Sequence, residues 1–233
     1  MDIKKAKVLI TGGSSGIGYE AAKLLKSAGA QVVICGTNEA LLSRAAKELD
    51  VTGFRADVSD EESVSQLFEF AIRHMAGLNV LINNAGIGQF KPLVETPVSE
   101  FQRIWEVNVK GLFLAGKQAA RHFISQNTGS IINIGSTASS RGYANGSAYV
   151  ASKFAVSGLT ECWRAELRAH NVRVMQINPS EVITDFSTKA NFEITNPERK
   201  LKPAEVAHVI QAMLAMNEVG FMTDATIWAT NPG

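Results

Sequence analysis

Short apolar runs alternate along this chain with longer stretches in which apolar positions recur at helical spacing. Val8-Leu9-Ile10 is the first run. It stops at Thr11-Gly12-Gly13-Ser14-Ser15-Gly16-Ile17-Gly18, and a helix-spaced stretch follows from Tyr19 to Ala28. Further strand-like runs cover 31–35, 51–55, 80–82, 130–134, 172–177 and 225–230, separated by helical patterns over 39–48, 60–75, 99–125, the stretch through Tyr149 to about 170, and 204–216. Strands alternating with helices of this length predict an α/β fold of one domain over 1–233, a doubly wound parallel sheet of seven strands of the Rossmann type. The polar stretch 180–202 has little periodicity and is expected to form a lid on the substrate side.

Composition narrows the function classes. With 233 residues, 45% hydrophobic and 19% charged, the chain can fill one large core. The formal net charge is +1 and the charges are scattered, which argues against a nucleic-acid footprint or a membrane-surface patch. His74, His122, His170 and His208 lack metal-ligand spacing and are expected as surface or cap residues. Cys35 and Cys162 fall in apolar stretches and read as reduced packing residues. No apolar leader precedes the first strand and no segment has the apolar length of a membrane span, so a cytoplasmic location is expected.

The glycine turn is the first candidate for chemistry. Between a strand and a helix, unpartnered N–H groups and the helix dipole favour an anion, and glycine lets its oxygens come close to the backbone. Gly12, Gly16 and Gly18, with Ser14, Ser15 and Ile17 between them, suit a dinucleotide pyrophosphate, although such a turn can also be only a tight connection. At the end of the second strand the chain reads Cys35-Gly36-Thr37-Asn38, without the acid that would hold a ribose 2'-hydroxyl and select NAD. Ser15, Thr37 and Asn38 offer small donors to a 2'-phosphate instead, so NADP is the expected cofactor, with NAD possible. Asp57, followed by Val58, ends the third strand and can either bond an adenine amino group or serve as a turn aspartate.

In Ser147-Ala148-Tyr149-Val150-Ala151-Ser152-Lys153, a helix would place Tyr149 and Lys153 on one face. A phenol titrates near 10, and a neighbouring cation would lower that value and let Tyr149 pass a proton. The same stretch could be an ordinary amphipathic helix start.

Taken jointly, the T-G-x-x-x-G-x-G turn, Asp57, Asn83-Asn84-Ala85-Gly86, Asn108, Ser136 and the Tyr149–Lys153 pair resemble the classical branch of the short-chain dehydrogenase/reductase family, over Lys7 to about Thr184. The finer likeness is to its 3-oxoacyl-acyl-carrier-protein reductases. The resemblance implies that Tyr149 is the general acid in reduction and the base in oxidation, that Lys153 lowers its pKa and holds the nicotinamide ribose, and that Ser136 donates to the substrate carbonyl. Asn108 would kink its helix and bind a water that links Lys153 to solvent. Asn84, Ala85, Gly86, Tyr149, Lys153, Pro179, Val182 and Thr184 would line the cofactor. The implied activity is hydride transfer between NADP(H) and a carbonyl or secondary alcohol, such as reduction of a 3-oxoacyl thioester, with an NAD-dependent secondary-alcohol dehydrogenase as the alternative. Partners would be a small-molecule or acyl-thioester substrate and further copies of the chain, as a homodimer or homotetramer.

Two departures bear on the resemblance. Ser180 stands where the family has a glycine, which raises the question of a positive φ there, and Glu181 is unusual beside the expected nicotinamide, where it is expected to face solvent or else to shape substrate choice. Phe101, Trp105, Phe113 and Trp163 are expected in the core or at a subunit interface. A non-catalytic dinucleotide sensor would tolerate loss of Ser136, Tyr149 or Lys153, yet all are present. An epimerase or dehydratase of the extended branch would need a larger C-terminal substrate region than the residues beyond Pro203 supply.

Overall fold

The computed structural model of the chain describes residues 1–192, 194–217 and 219–232. The apolar runs form β1 (Lys7–Thr11), β2 (Gln31–Gly36), β3 (Thr52–Arg55), β4 (Val80–Asn83), β5 (Gly129–Ile134), β6 (Val172–Pro179) and β7 (Asp224–Ile227). All pair in parallel as one 7-stranded sheet in the order β3-β2-β1-β4-β5-β6-β7. The doubly wound sheet read from the sequence is the observed one.

Successive side chains on a strand leave the sheet on opposite faces. Leu9 joins Val64, Leu67, Phe123 and Val156 in one core, whereas Val8 and Ile10 join Leu42, Leu25, Val206 and Ile210 in the other. The first face is covered by α3 (Glu61–His74), α5 (Leu112–Gln126) and α6 (Ser147–Leu167), the second by α1 (Gly16–Ser27), α2 (Glu39–Leu49) and α8 (Pro203–Ala215). Capping chemistry sets where a helix starts. Asp60 accepts from the Ser63 N–H at 2.6 Å ahead of α3, with Glu61 and Glu62 in its first turn and Arg73 and His74 in its last, in accord with the helix dipole.

The helix expected over 99–125 is instead three pieces: α4 (Val98–Trp105), a π-helical segment Glu106–Gly111, and α5. The buried carboxamide of Asn108 accounts for the interruption. Its Oδ1 accepts from the Ile87 N–H at 2.8 Å, and its Nδ2 donates to the Ile87 carbonyl at 2.9 Å and to Ser152 Oγ at 3.0 Å. A π turn accommodates an extra residue without stopping the helix, and such turns recur at functional sites. The described residues of 180–202 are more regular than their composition suggests, with α7 (Asp185–Lys189) and a 3-10 turn at Pro197–Arg199.

Trp163 is buried in the core, whereas Phe101, Trp105 and Phe113 are exposed on this chain, with the rings of Phe101 and Trp105 stacked at 6.3 Å. Cys35 packs in the core, and burial pushes its thiol up to about 12. Cys162 does not pack: Trp163 beside it takes the inward face of α6 and leaves the free thiol exposed. Among the described residues no three His, Cys, Asp or Glu side chains cluster as metal ligands would, and no helix is long and apolar enough to cross a membrane.

The contact of α5 with α6 is tight. A Cβ on Gly116 would lie 2.3 Å from the Trp163 ring, whereas one on Gly158 would meet nothing within 4 Å. Overpacking costs about 1–3 kcal/mol, so Gly116→Ala should lower the calorimetric midpoint by several degrees, at ~2–4 °C per kcal/mol for a chain of this size. Gly158→Ala should hold or raise it, because alanine is the better helix former.

Candidate active site

Parallel pairing delivers the carboxyl ends of the strands to one edge of the sheet, and the crevice there is where open α/β sheets bind ligands. A cleft of about 1120 Å³ runs along that edge, larger than the roughly 300–1,000 Å³ of a typical small-molecule site. It has room for an extended ligand and a second, smaller one.

One end is built from the glycine turn. Gly12 and Gly16 have φ of +64° and +58°, which glycine adopts without strain. A Cβ on Gly12 would come within 2.9 Å of Ala85 Cα. Gly12, Ser14, Ser15, Gly16 and Ile17 line the cleft, but Gly18 does not; a Cβ there would sit 2.4 Å from the Gly12 oxygen, so this glycine serves packing. Ser15 occupies the N-cap of α1 without a side-chain bond, leaving the first N–H groups of the helix open to an anion. Asn84 holds the turn from below, its Nδ2 donating to the carbonyls of Thr11 at 3.0 Å and Gly12 at 2.8 Å. The Thr11 hydroxyl accepts from the N–H groups of Asn84 and Ala85 at 3.0 and 3.1 Å. Ala85 and Gly86 present backbone to the cleft.

Next to the turn, Thr37 and Asn38 line the wall, with Asn38 Oδ1 already accepting from the Leu41 N–H at 3.0 Å as the cap of α2. Two cations unexpected from the sequence lie at this end, Arg103 in the cleft lining and Arg55 outside it. Arg55, paired with Gly36 across β2 and β3, donates from Nε to the Thr37 carbonyl at 3.3 Å. Arg103 approaches Asp57 at 3.5 Å. Asp57 Oδ1 accepts from the N–H and Oγ of Ser59 at 2.9 and 2.6 Å, so it is a turn aspartate that also lines the cleft beside Val58. Burial raises its pKa, but the Ser59 bonds and Arg103 outweigh that and hold the carboxylate below its ordinary range.

The middle of the cleft brings Ser136, Tyr149 and Lys153 together. Tyr149 and Lys153 lie one turn apart on α6, both buried. Lys153 Nζ donates to the Ile134 carbonyl at 2.8 Å and stands 5.7 Å from the Tyr149 ring centroid. Ser136 opens a 3-10 turn; its Oγ accepts from the Ala138 N–H at 3.1 Å and its own N–H donates to Asn178 Oδ1 at 3.3 Å, which fixes it against β6. The expected lowering of the Tyr149 pKa is not found. Desolvation pushes the phenol above its ordinary value, and the hydrogen bond from Ser136 recovers only part of that rise. Burial likewise brings Lys153 down to about 8. Asn108 lies outside the cleft lining and reaches the centre indirectly, through Ser152, whose Oγ donates to the Tyr149 carbonyl at 2.6 Å.

An aromatic wall that the sequence did not signal encloses the phenol. Phe90 and Phe186 lie 5.4 and 5.6 Å from the Tyr149 ring, and Phe192 packs on Phe90 at 5.3 Å. Pro179, Val182 and Thr184 all line the cleft, with Thr184 Oγ1 accepting from the Phe186 N–H at 3.3 Å as the cap of α7. Ser180 raises no difficulty. It is not among the residues with positive φ, and its N–H donates to the Ile227 carbonyl at 2.8 Å, continuing the β6–β7 pairing. Glu181 is not simply solvated: it pairs with the buried Lys200 at 2.5 Å, next to the backbone bridge between Val182 and Leu201. This ion pair ties the two ends of the segment that carries Phe186 and Phe192.

The comparisons with known proteins agree with this geometry. Residues 6–194 match the family model described as short chain dehydrogenase. The chain is similar to a cis-4-hydroxycyclohexanecarboxylate dehydrogenase of Sinomonas cyclohexanicum, 35% identical over 94% of this chain and 92% of that one. Its structure is similar to a 3-ketoacyl-(acyl-carrier-protein) reductase from Brucella melitensis complexed with NADH, with a TM-score of 0.90, 28% identity and 96% of each chain covered. It also resembles a serine dehydrogenase complexed with NADP+, with a TM-score of 0.88, 25% identity and 94% and 93% coverage.

Lys200 is the buried member of its ion pair with Glu181, which is the exposed one, so removing the carboxylate leaves a shielded ammonium uncompensated, whereas replacing both does not. Glu181→Gln should therefore speed proteolysis between residues 182 and 199 by about tenfold. The double variant Glu181→Gln with Lys200→Met should return most of the resistance, as read by mass spectrometry of the fragments.

Proposed function

The chain belongs to the short-chain dehydrogenase family, oxidoreductases that act on a carbonyl or alcohol with a nicotinamide dinucleotide, and on that footing we propose that it reduces a ketone with NADPH. The observation that carries this reading is the buried Tyr149 phenol, hydrogen-bonded to Ser136 and one helical turn from Lys153 at the middle of the cleft. The glycine cradle and the open N-terminus of α1 fit a dinucleotide pyrophosphate, with Ser14 to Ile17, Ala85, Gly86, Pro179, Val182 and Thr184 along its length. When bound, that group supplies the hydride.

The residues of the chain do the rest. Ser136 donates to the substrate carbonyl oxygen and stabilises the negative charge that grows there. Tyr149, kept protonated by burial, passes its proton to that oxygen. Lys153 contributes its charge beside the phenol and holds the nicotinamide ribose, while Asn108 is a positioning residue that fixes Ile87 and Ser152 around them. The segment 180–202, anchored by Glu181 and Lys200, acts as the substrate-side lid.

NADP is favoured over NAD because the carboxylate at the ribose end, Asp57, is already paired with Arg103 and the charge of Arg55 lies beside Thr37. A 3-oxoacyl thioester remains one ketone of the right class. A second reading, a dehydrogenase of compact secondary alcohols that can use NAD, is favoured by the aromatic wall, which suits a small ring better than a flexible chain. Exposed Phe101, Trp105, Phe113 and Phe154 on α4, α5 and α6 support a homodimer or homotetramer. The two free cysteines support a cytoplasmic location.

Tyr149→Phe should bind NADPH within about twofold of the parent by fluorescence titration and lose at least ~100-fold in turnover, the scale of acid–base catalysis; near-parental turnover would refute the assignment. Reduction should be flat through neutral pH and fall above about 8 as Lys153 loses its proton. Lys153→Met should abolish that fall along with most of the rate.

A further inference from the structure

The substrate end of the cleft holds a cation that the fold does not answer. Arg141 and Lys200 both line it, and Lys200 has Glu181 as its partner. Arg141 makes no ion pair with the described residues. Its guanidinium lies 4.7 Å from the centroid of the Trp228 ring, and Trp228 lines the same cleft. Stacking on an aromatic face orients a guanidinium while leaving its edge N–H groups and its charge available.

Tyr143, two residues on from Arg141 in the same loop, begins a run of aromatic contacts that ends at the reacting phenol. Tyr143, on which the charges of both Glu181 and Arg141 act, packs its ring 6.3 Å from Phe90, and Phe90 lies 5.4 Å from Tyr149. A ligand with its oxygen at Ser136 and Tyr149 would therefore pass along aromatic rings before it met the guanidinium. Glu181 is the opposing charge nearby, but it is already held by Lys200, so the local balance stays positive.

Resting on the ketone reduction proposed above, we infer that the substrate carries a carboxylate at the end of the cleft beyond the aromatic wall, and that Arg141 selects it. The planar fork of a guanidinium matches a carboxylate in two parallel hydrogen bonds, which an ester or amide cannot accept with the same charge. The arginine is dispensable to the fold, since it sits exposed in the loop ahead of α6.

The test compares 4-oxocyclohexanecarboxylate with its methyl ester as substrates of the whole enzyme with NADPH and NADH, in the parent, Arg141→Met and Arg141→Lys. The parent should favour the acid by about tenfold or more in kcat/KM; Arg141→Met should lose about 10–100-fold on the acid, chiefly in KM, and less than ~3-fold on the ester. Arg141→Lys should keep part of the preference. Equal use of acid and ester by the parent, or an equal fall on both in Arg141→Met, would overturn the inference. If neither ketone is reduced with either cofactor, the ketone reading fails separately. Calorimetric binding of cyclohexanecarboxylate against cyclohexanecarboxamide then decides the role of Arg141: about tenfold tighter binding of the acid, lost in Arg141→Met, upholds it, and equal binding overturns it.

Discussion

Every group in the site is where it is because the strands run parallel. Parallel pairing puts the carboxyl ends of β1, β4, β5 and β6 side by side, and with them Gly12, Asn84, Ser136 and Pro179. The order reverses between β1 and β4, so consecutive crossovers depart to opposite faces and open a crevice there. The two strand ends that frame it are locked by Thr11 and Asn84, β5 is tied to α6 through Asn133 and Thr160, and β6 to α6 through Gln176 and Ser157. A rigid edge is what lets short-range chemistry be placed to a fraction of an ångström.

Into that edge α6 sets a phenol and an ammonium, and desolvation governs both. Burial disfavours the charged form of each, raising Tyr149 and lowering Lys153. The protein by itself therefore holds a neutral phenol, a proton donor ready for a carbonyl oxygen. Ser136 pulls in the other sense, and further positive charge in the cleft would add to it. The phenol is thus held protonated in the free protein, which goes beyond the idea of a lysine that simply acidifies its neighbour.

Local features were legible in the sequence. Tyr149 and Lys153 follow from helical spacing, the glycine turn from its place between strand and helix, and the fold from alternation of periodicity. Asn108 and Ser136 needed the family resemblance, since one asparagine or serine carries no periodic signal. What stayed hidden depends on distant segments meeting. Arg55 reaches the Thr37 carbonyl only because β3 pairs with β2, a neighbour relation that could have been drawn from the expected strand order. Phe90, Phe192 and the Glu181–Lys200 pair lie in connections without periodicity, Phe186 sits on the five-residue α7, and Trp228 directly follows β7. The π segment replaced a regular helix because Asn108 bonds Ile87, a contact that spacing along one helix cannot reveal.

The central claim is that burial, not Lys153, sets the protonation of Tyr149 in the free protein. Its most direct test is an ultraviolet difference titration of the parent against Tyr149→Phe, which isolates the phenolate band of that one residue. The account predicts that Tyr149 ionises above the ordinary 10.0 of a tyrosine. A phenolate from Tyr149 already present near neutral pH would contradict it.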